Sequence, residues 1–500
     1  MASLEQDPRH RQIQGRHVST GSSASREASP SHQDDASQTG KRIKKDLPED
    51  IWLHICSFLP MKDAARAACV SRAFRSSWKC RPNLSFCMET LGYNVDARRQ
   101  SKLTRDYNSK VSRILRSHSG VGVKTLHLEF YGPYDGDTNS CLDSCLQTAI
   151  APGIEGLSLR LLSPEGVPFY KEPNTKSHAH SYLMGCAFHP TVGSGCMRSL
   201  TNLSLSFVHI TGDELGFLLS GSFALEQLEL SCCREINSLN IPCLQRLRCL
   251  RVFHCDILQV IESKAPNISS FHFHGDQQVQ LLLGESLQLK KIFISHSCVL
   301  SYARSMLPST MPNLENLTVY SVVDEVYSPP MLPRKFLHLK YLDIKILRWT
   351  FPTACDILLF ISFLDACPCL ETFNLNTPMW QRDHDDSIVE DTSHLGRIPG
   401  RYDNLRHVKL TSFYSTNLLV QLTCHILEHT PSLECLTLDI TDGWPRCSDK
   451  RIGKCYVSRA TLVEAPKTLE AIRTCIEGKV PSTVKLNVLK PCNRCHDVDY

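Results

Sequence analysis

Apolar residues recur with one spacing along most of this chain. From about residue 120, leucine or another large apolar residue takes the first, fourth and sixth positions of the pattern L-x-x-L-x-L in twelve places. These patterns begin at Val123, Ile154, Leu200, Leu225, Leu247, Ile268, Leu289, Leu314, Leu339, Leu370, Leu405 and Leu433. Adjacent residues of a strand point to opposite faces, so the fourth and sixth positions share one buried face. The pattern therefore predicts twelve short strands.

The distance between successive patterns indicates how these strands are arranged. From Leu203 to Leu342 the patterns are about 21 to 25 residues apart, which is the period of leucine-rich repeats. One strand-plus-helix repeat cannot bury its apolar side alone, but stacked repeats bury it together. We therefore expect an α/β solenoid with parallel strands on its concave face. Wider spacing elsewhere predicts protruding loops at 131–153, 163–198 and 376–402.

A helical pattern precedes the repeats. Ile51, Ile55 and Phe58 follow one another at helical spacing, Pro48 lies near the expected helix start, and Pro60 is expected to end the helix. This first helix begins directly after a polar segment, where the composition of the chain changes abruptly.

Two more short helices are expected after the first. Asp63 is suited to cap an alanine-rich second helix, and a third helix would carry Val70, Phe74 and Trp78 on one face. Three short helices bury too little apolar surface to be stable alone, so this unit should need a partner surface.

This helical segment resembles the F-box family. The resemblance rests, in the family's order and spacing over about 33 residues, on Leu47, Pro48, Ile51, Ile55, Leu59, Asp63, Val70, Phe74 and Trp78. Phe74 stands where many family members have tryptophan, so an aromatic ring is kept. The resemblance implies docking on the Skp adaptor subunit, and through it an indirect link to a cullin scaffold and a RING subunit. The residues expected to bind the Skp adaptor are Leu47, Pro48, Ile51, Ile55, Leu59, Val70 and Phe74.

The far end of the chain carries a second resemblance. The segment 405–439 is similar to the C-terminal module called FBD, and the stretch from Ala471 to Cys492 is expected to cap the solenoid. The chain as a whole resembles plant-type F-box/leucine-rich-repeat proteins with an FBD-like end.

The concave face is the expected substrate-binding surface. Its outward-facing residues mix charged and aromatic side chains, which suits protein recognition. The candidates are Glu229, Arg251, His272, Lys291, Phe293, Tyr341 and Lys409. Some plant F-box/repeat proteins are hormone receptors that hold an inositol phosphate in a basic pocket. Here a repeat bearing serines and His272 separates Arg251 from Lys291, so no such pocket is assembled.

Overall composition excludes several other classes of protein. The formal net charge is +4 over 500 residues, without a concentrated basic face, so no nucleic acid is expected as a partner. The longest apolar run, 357–364, is far shorter than the ~18 residues of a membrane span, and no secretory signal is recognisable. No membrane partner is expected. The 24 cysteines then indicate reduced thiols in the cytosol or nucleus.

The first 45 residues are too polar to bury a core and are expected to be disordered. They end in the basic cluster KRIKK at 41–45, which is either a nuclear-import signal or a solvated charge run. The expected location is the nucleus, the cytoplasm or both.

Three features of the sequence are candidate sites of chemistry. The sequence C-x-x-C-H at 492–496 matches a haem-attachment pattern, the loop around 383–391 is acidic, and His272 and His274 flank Phe273. A reduced thiol pair, a solvated loop and surface contact residues are the better interpretations. No nucleophile or nucleotide motif occurs. We expect no catalytic residue, no metal and no cofactor.

Together these observations predict five regions: a tail (1–45), an F-box (46–82), a helical linker (83–119), a solenoid (120–445) and a C-terminal cap with an FBD-like end (446–500). The predicted function is that of a non-enzymatic adaptor in an SCF-type ubiquitin ligase, with the repeats binding an unknown substrate protein. The alternatives are a non-ligase interaction scaffold and, less favoured, a small-ligand or hormone sensor.

Overall fold

The computed structural model describes residues 47–93, 101–118, 123–132, 136–149, 153–162, 197–283, 288–321, 334–347, 354–377, 400–415, 417–441, 443 and 457–492. The predicted tail, the KRIKK cluster, the acidic loop and nearly all of the predicted loops at 163–198 and 376–402 lie outside these residues. Residues from Pro48 onward form one compact unit, whereas Leu47 belongs to the unit before it.

The chain begins with three helices. They are α1 (Glu49–Phe58), α2 (Met61–Val70) and α3 (Arg72–Lys79). Pro48 and Pro60 are the residues directly before α1 and α2, where the fixed φ angle of proline suits a helix start. The side-chain oxygen of Ser71 accepts a hydrogen bond from the Phe74 amide and so caps α3.

Two details of the predicted helices are wrong. Asp63 does not cap α2, because the helix already starts at Met61, and its carboxylate instead lies in the first turn. Val70 is not part of the third helix, because Ser71 leaves the helical conformation and separates α2 from α3.

A parallel sheet of fourteen described strands forms the body of the molecule. Its strands, in spatial order, are β1 (Asn83–Phe86), β2 (Thr125–Tyr131), β3 (Gly156–Leu162), β4 (Asn202–Ser206), β5 (Gln227–Ser231), β7 (Cys249–Phe253), β9 (Ser270–His274), β11 (Lys291–Ser295), β12 (Asn316–Ser321), β13 (Tyr341–Ile346), β14 (Thr372–Asn376), β15 (His407–Thr411), β16 (Cys435–Asp439) and β17 (Lys485–Leu489). All twelve predicted strands are present, and the leucines of the pattern form one continuous core. The α/β solenoid is confirmed.

The ends of the sheet extend the predicted boundaries. Residues 83–86, assigned to a helical linker, form β1 and pair with β2, because Leu84 and Phe86 join the same core as the repeat leucines. Residues 485–489 of the predicted cap form β17 beside β16. The solenoid therefore begins earlier and ends later than the L-x-x-L-x-L pattern indicates.

A second layer connects the strands. Its helices are α4 (Ser101–Ser117), α5 (Gly136–Ala149), α6 (Gly212–Ser220), α7 (Val299–Ser305), α8 (Leu307–Thr310), α9 (Ala354–Ala366), α10 (Asn417–His429) and α11 (Arg459–Cys475). Helix α5 occupies most of the predicted loop at 131–153, so that expectation is wrong.

The shortest repeats use strands in this layer where helices were expected. The strands β6 (Ser238–Ile241), β8 (Val260–Ser263) and β10 (Gln280–Leu282) form a small parallel sheet of their own. A helix rises only about 1.5 Å per residue, so a repeat this short spans the layer better with extended chain. Ile241 and Ile261 of these strands are buried in the common core.

Alternating charges follow the edge where the main strands begin. The ion pairs Lys290–Glu315 (2.9 Å), Lys340–Glu371 (3.6 Å) and Arg406–Glu434 (2.9 Å) each join one repeat to the next. Exposed pairs of this kind contribute little energy individually, at most about 1 kcal/mol. Each pair nevertheless favours the observed register of its two repeats, because a shift of one repeat along its neighbour would move the opposite charges apart.

Candidate interaction surfaces

Helix α1 turns large apolar side chains toward solvent. Ile51, Ile55 and Phe58 are 40%, 36% and 75% exposed, and their spacing places them along one side of the helix. At the end of α2, Val70 is 87% exposed. Exposed apolar side chains at this density mark a surface that another protein covers.

The other predicted Skp-adaptor contacts lie close to these residues in sequence. Leu47 and Pro48 are exposed ahead of α1, whereas Leu59 and Phe74 are half-buried. The Phe74 ring packs edge-on against Trp52 with 5.1 Å between the ring centres. Phe58 was not predicted as a contact, because helical spacing alone does not separate an exposed apolar residue from a core one.

A buried arginine joins the helical unit to the solenoid. The Arg81 guanidinium donates hydrogen bonds to the carbonyl oxygens of Cys56 (2.9 Å) and Leu59 (2.8 Å) at the end of α1, and to that of Asn83 (3.0 Å) in β1. The Arg81 carbonyl in turn lies 3.0 Å from Nε2 of His118 after α4. Arg81 therefore fixes α1 against the first strand of the sheet. No sequence motif marks it.

The strand register aligns one row of outward residues across the whole concave face. In spatial order this central row is Ser85, His127, Ser158, Ser204, Glu229, Arg251, His272, Phe293, Thr318, Asp343, Asn374, Lys409, Thr437 and Asn487. Five of the seven predicted substrate contacts are in this row. Lys291 and Tyr341 lie two residues earlier on their strands and so share the same face.

Many polar side chains on this face are already paired. Arg251 is 3.8 Å from the Glu229 carboxylate, and Lys409 is 3.9 Å from that of Asp439. The Tyr341 hydroxyl accepts a hydrogen bond from the Asn374 amide at 2.8 Å, and burial raises the pKa of Tyr341. The concave candidates are therefore partly held in place rather than freely mobile.

A cavity of about 380 Å³ opens on the concave face from β1 to β7. Its floor is formed by small residues, among them Ser85, Gly156, Ser158 and Ser204. The imidazole Nδ1 of His127 lies 2.9 Å from the Ser158 hydroxyl, and burial lowers the pKa of that imidazole. The lining combines apolar side chains, such as Leu84 and Leu157, with hydroxyl, amide and imidazole groups and the charged side chains of Glu229 and Arg251. Sequence reasoning missed the cavity because its members come from six separate strands.

The other motifs contribute no chemistry to the described structure. Only Cys492 of the C-x-x-C-H sequence is described, and the described residues contain no cluster of three or more possible metal ligands. The described cysteines are free thiols. Cys233 and Cys255, each three residues after the last apolar position of a repeat pattern, are buried, and free cysteine commonly serves as a small core residue. None of the described helices is both long and apolar enough to cross a bilayer.

Comparison with known protein families agrees with both regions. Residues 114–493 match the leucine-rich-repeat domain family described as "At1g61320/AtMIF1, LRR domain", and residues 45–86 match the F-box domain. The chain belongs to the F-box/leucine-rich-repeat family. Proteins of this family are in general non-catalytic adaptors built from protein-interaction domains, and F-box domains typically bind Skp adaptors.

Curated relatives from Arabidopsis thaliana carry corresponding names. The F-box/LRR-repeat protein At5g02910 is 30% identical over 42% of this chain and 43% of its own length. The F-box/FBD/LRR-repeat protein At3g26920 is 25% identical over 66% of this chain and 73% of its own length. The FBD-associated F-box protein At1g66310 is 22% identical over 80% of this chain and 90% of its own length. The chain spans less than half the length of the first of these relatives.

Proposed function

We propose that this family member is the substrate-recognition adaptor of an SCF-type ubiquitin ligase. The F-box helices would dock on the Skp adaptor subunit, and the cullin scaffold and RING subunit would be reached indirectly. The repeats would hold a substrate protein near the transferring enzyme, where proximity raises the reaction rate. No residue of this chain would then take part in bond making.

The exposed apolar side chains of the F-box helices carry this proposal. Ile51, Ile55, Phe58 and Val70 are exposed on short helices whose buried residues are only Cys56, Met61, Ala64 and Ala68. Leaving such side chains in water costs about 1.5–3 kcal/mol each relative to burying them. A partner that covers them would regain that free energy, and the Skp adaptor is the partner typical of this domain.

Affinity capture of the Skp adaptor by the full chain tests the proposal. The variant Ile55→Ala/Phe58→Ala should bind at least about tenfold more weakly, because apolar anchors typically contribute 1–3 kcal/mol each. Phe217→Ala/Phe223→Ala is the matched control, since these rings are 61% and 63% exposed on and after α6. Equal capture by the two variants, or no capture by the folded unmodified chain, would contradict the proposal.

The alternative of a non-ligase scaffold makes a different prediction for a second assay. A scaffold that only holds the Skp adaptor would show capture but no ubiquitin transfer when cullin, RING subunit and a captured substrate are added. Ubiquitin transfer to the substrate that requires the repeats would support the proposed role as a ligase adaptor.

We propose a location in the nucleus, the cytoplasm or both, resting on the basic cluster at 41–45 and on the free thiols. A fluorescent fusion in which all four basic residues of the cluster are replaced by alanine tests the nuclear part. Unchanged nuclear signal would show that the cluster is not an import signal.

A further inference from the structure

Five rings lie together in the middle of the concave face. His272 and Phe293 stack, with ring centres 6.0 Å apart and 20° between their planes. The rings of His254 and His274 are 4.4 Å apart, and Tyr320 meets His274 edge-on at 5.9 Å. His272 and His274 are alternate residues of β9, so both point to the same side of the sheet. These five residues are called the aromatic patch below.

The backbone around the patch fixes the rings in place. Strand β11 contributes Ser295 opposite His274, and this small, fully buried side chain lets His274 and Tyr320 approach each other across it. The hydroxyl of Ser295 has no hydrogen-bond partner among the described residues. His254 follows β7 and has a φ angle of 51°, which lies in the left-handed region. Its backbone amide donates a hydrogen bond to the His274 carbonyl at 2.6 Å.

Some charged side chains around the patch form ion pairs, whereas Asp276 does not pair with a described lysine or arginine. Arg251 beside His272 is engaged with Glu229 at 3.8 Å, and Asp256 is engaged with Arg234 at 3.2 Å. Asp276, two residues after His274, is exposed and forms no ion pair with the described Lys or Arg side chains. The edge of the patch where the strands end therefore presents a negative charge that a partner can approach.

The imidazoles of β9 act as neutral rings near pH 7. Burial is the largest cause that lowers the pKa of His272 and His274, and Arg251 lowers the pKa of His272 further. For His274, the effect of His254 also lowers the pKa, whereas the nearby Asp276 carboxylate opposes the shift without reversing it. Neutral rings offer partly negative faces and apolar area at once. Ammonium and guanidinium groups are attracted to the faces of phenylalanine and tyrosine rings, which Phe293 and Tyr320 supply here, and the neutral imidazoles beside them add no repelling charge.

We propose that the aromatic patch binds a segment of the substrate protein in which an arginine or lysine side chain lies next to an apolar one. This inference rests on the proposed function, in which the repeats hold a substrate. The cationic group would lie against the ring faces with the Asp276 carboxylate beside it, and the apolar side chain would cover the remaining ring surface. Tyrosine, present here as Tyr320, is among the residue types that most often carry binding energy at protein interfaces, and phenylalanine adds a large apolar area.

Peptide selection on the immobilised full chain tests this inference. Short random peptides displayed on phage should be enriched in arginine or lysine beside an apolar residue. A selected basic peptide should bind Phe293→Ala and Asp276→Lys at least about tenfold more weakly than the unmodified chain. Asp276 is exposed, so Asp276→Lys stays informative even if Phe293→Ala does not fold.

Two controls match these variants in chemistry. Phe217→Ala removes an exposed ring elsewhere, and Glu477→Lys makes the same charge change in the exposed turn after α11. Both should bind the peptide as the unmodified chain does. Selected peptides without basic residues, peptides that bind Asp276→Lys unchanged, or a selection in which no binding depends on the patch would overturn the inference.

The capture assay separates failure of this inference from failure of the proposed function. Capture of the Skp adaptor together with patch-independent peptides would remove the inference alone. Patch-dependent peptides without capture of the Skp adaptor would remove the ligase role and leave the patch as a binding site of a repeat scaffold.

Discussion

The repeat solenoid buries its apolar residues, whereas the F-box helices leave several of theirs exposed to solvent. In the solenoid, the apolar strand positions are almost completely buried, as Leu250 and Phe271 are at 0% exposure. In the F-box, α1 and α2 leave Ile55, Phe58 and Val70 exposed. The solenoid is completed by its own neighbouring repeats, whereas three short helices have too little surface to cover one another.

This difference indicates where each region obtains its stability. A repeat gains free energy from the repeats on either side of it, so the solenoid is stabilised within the chain. The F-box gains part of its stability from the Arg81 junction and, in the proposed complex, from a partner. Substitutions should therefore reduce the stability of the fold in one region and reduce binding in the other.

The largest expected effect contrasts one ring from each region. Phe271→Ala should lower the free energy of unfolding by about 3–5 kcal/mol, because it opens a cavity where the ring stacks on Phe273. Phe58→Ala should change it by less than about 0.5 kcal/mol, because that ring is already in water. Urea denaturation followed by circular dichroism measures both. Similar losses in the two variants would mean that the two regions do not differ in this way.

The next effect concerns the junction between the regions. Arg81→Ala removes the donors to the Cys56 and Leu59 carbonyls and should cost about 2–3 kcal/mol, because these groups were bonded to a charged donor in a buried position. Hydrogen exchange of the α1 amides should accelerate while the central strands stay protected.

Arg66→Ala is the control for that substitution. Arg66 forms an exposed pair with Asp63 at 3.3 Å within α2, so its removal should cost less than about 1 kcal/mol. If α1 exchanges at the same rate in Arg81→Ala as in the unmodified chain, the junction does not stabilise the F-box.

A smaller effect, dependent on pH, sharpens the comparison within the solenoid. The Tyr402 hydroxyl donates to the Asp365 carboxylate at 3.0 Å and lies 3.1 Å from Nε2 of His425. Burial lowers the pKa of His425 to about 4 and raises the pKa of Asp365. Between pH 6.5 and 4 the unfolded chain binds more protons at His425 than the folded chain does, so this histidine makes stability fall as the pH falls. Asp365 has the opposite effect on stability. Because burial raises its pKa, the folded chain holds this proton more tightly than the unfolded chain, and that contribution to stability is lost as the pH rises.

The substitution His425→Gln isolates the contribution of the histidine. The drop in the thermal unfolding midpoint from pH 7 to pH 5 should be smaller in His425→Gln than in the unmodified chain. It should not vanish, because burial also lowers the pKa of several other histidines: His118, His127, His272, His274 and His296. His338→Gln, at an exposed position, should leave the pH dependence unchanged. An equal drop in His425→Gln and the unmodified chain would contradict the assignment.

The elements that were predicted correctly have a local cause. Every repeat strand found from the L-x-x-L-x-L spacing depends only on residues within six positions of one another. The elements that were missed depend on distant ones: β1 and β17 lack the full pattern and become strands because a neighbouring strand supplies their hydrogen bonds. The strands β6, β8 and β10 of the small second sheet are also missed, because each becomes a strand by pairing with another repeat. These repeats are too short for the helix that was expected in each of them.

The candidate sites also combine features set by local sequence with features set by contacts between distant segments. Residue types and spacing alone determined that Ile51 and Ile55 share a helix side and that His272 and Phe293 lie on strand faces. Only the tertiary structure decided that Phe58 is left in water, that Arg81 reaches the end of α1, and that rings from three strands and from His254 after β7 lie close together. Periodicity is a property of neighbouring residues, whereas exposure and contact depend on which distant segments stack together, and stacking is fixed by the fold as a whole.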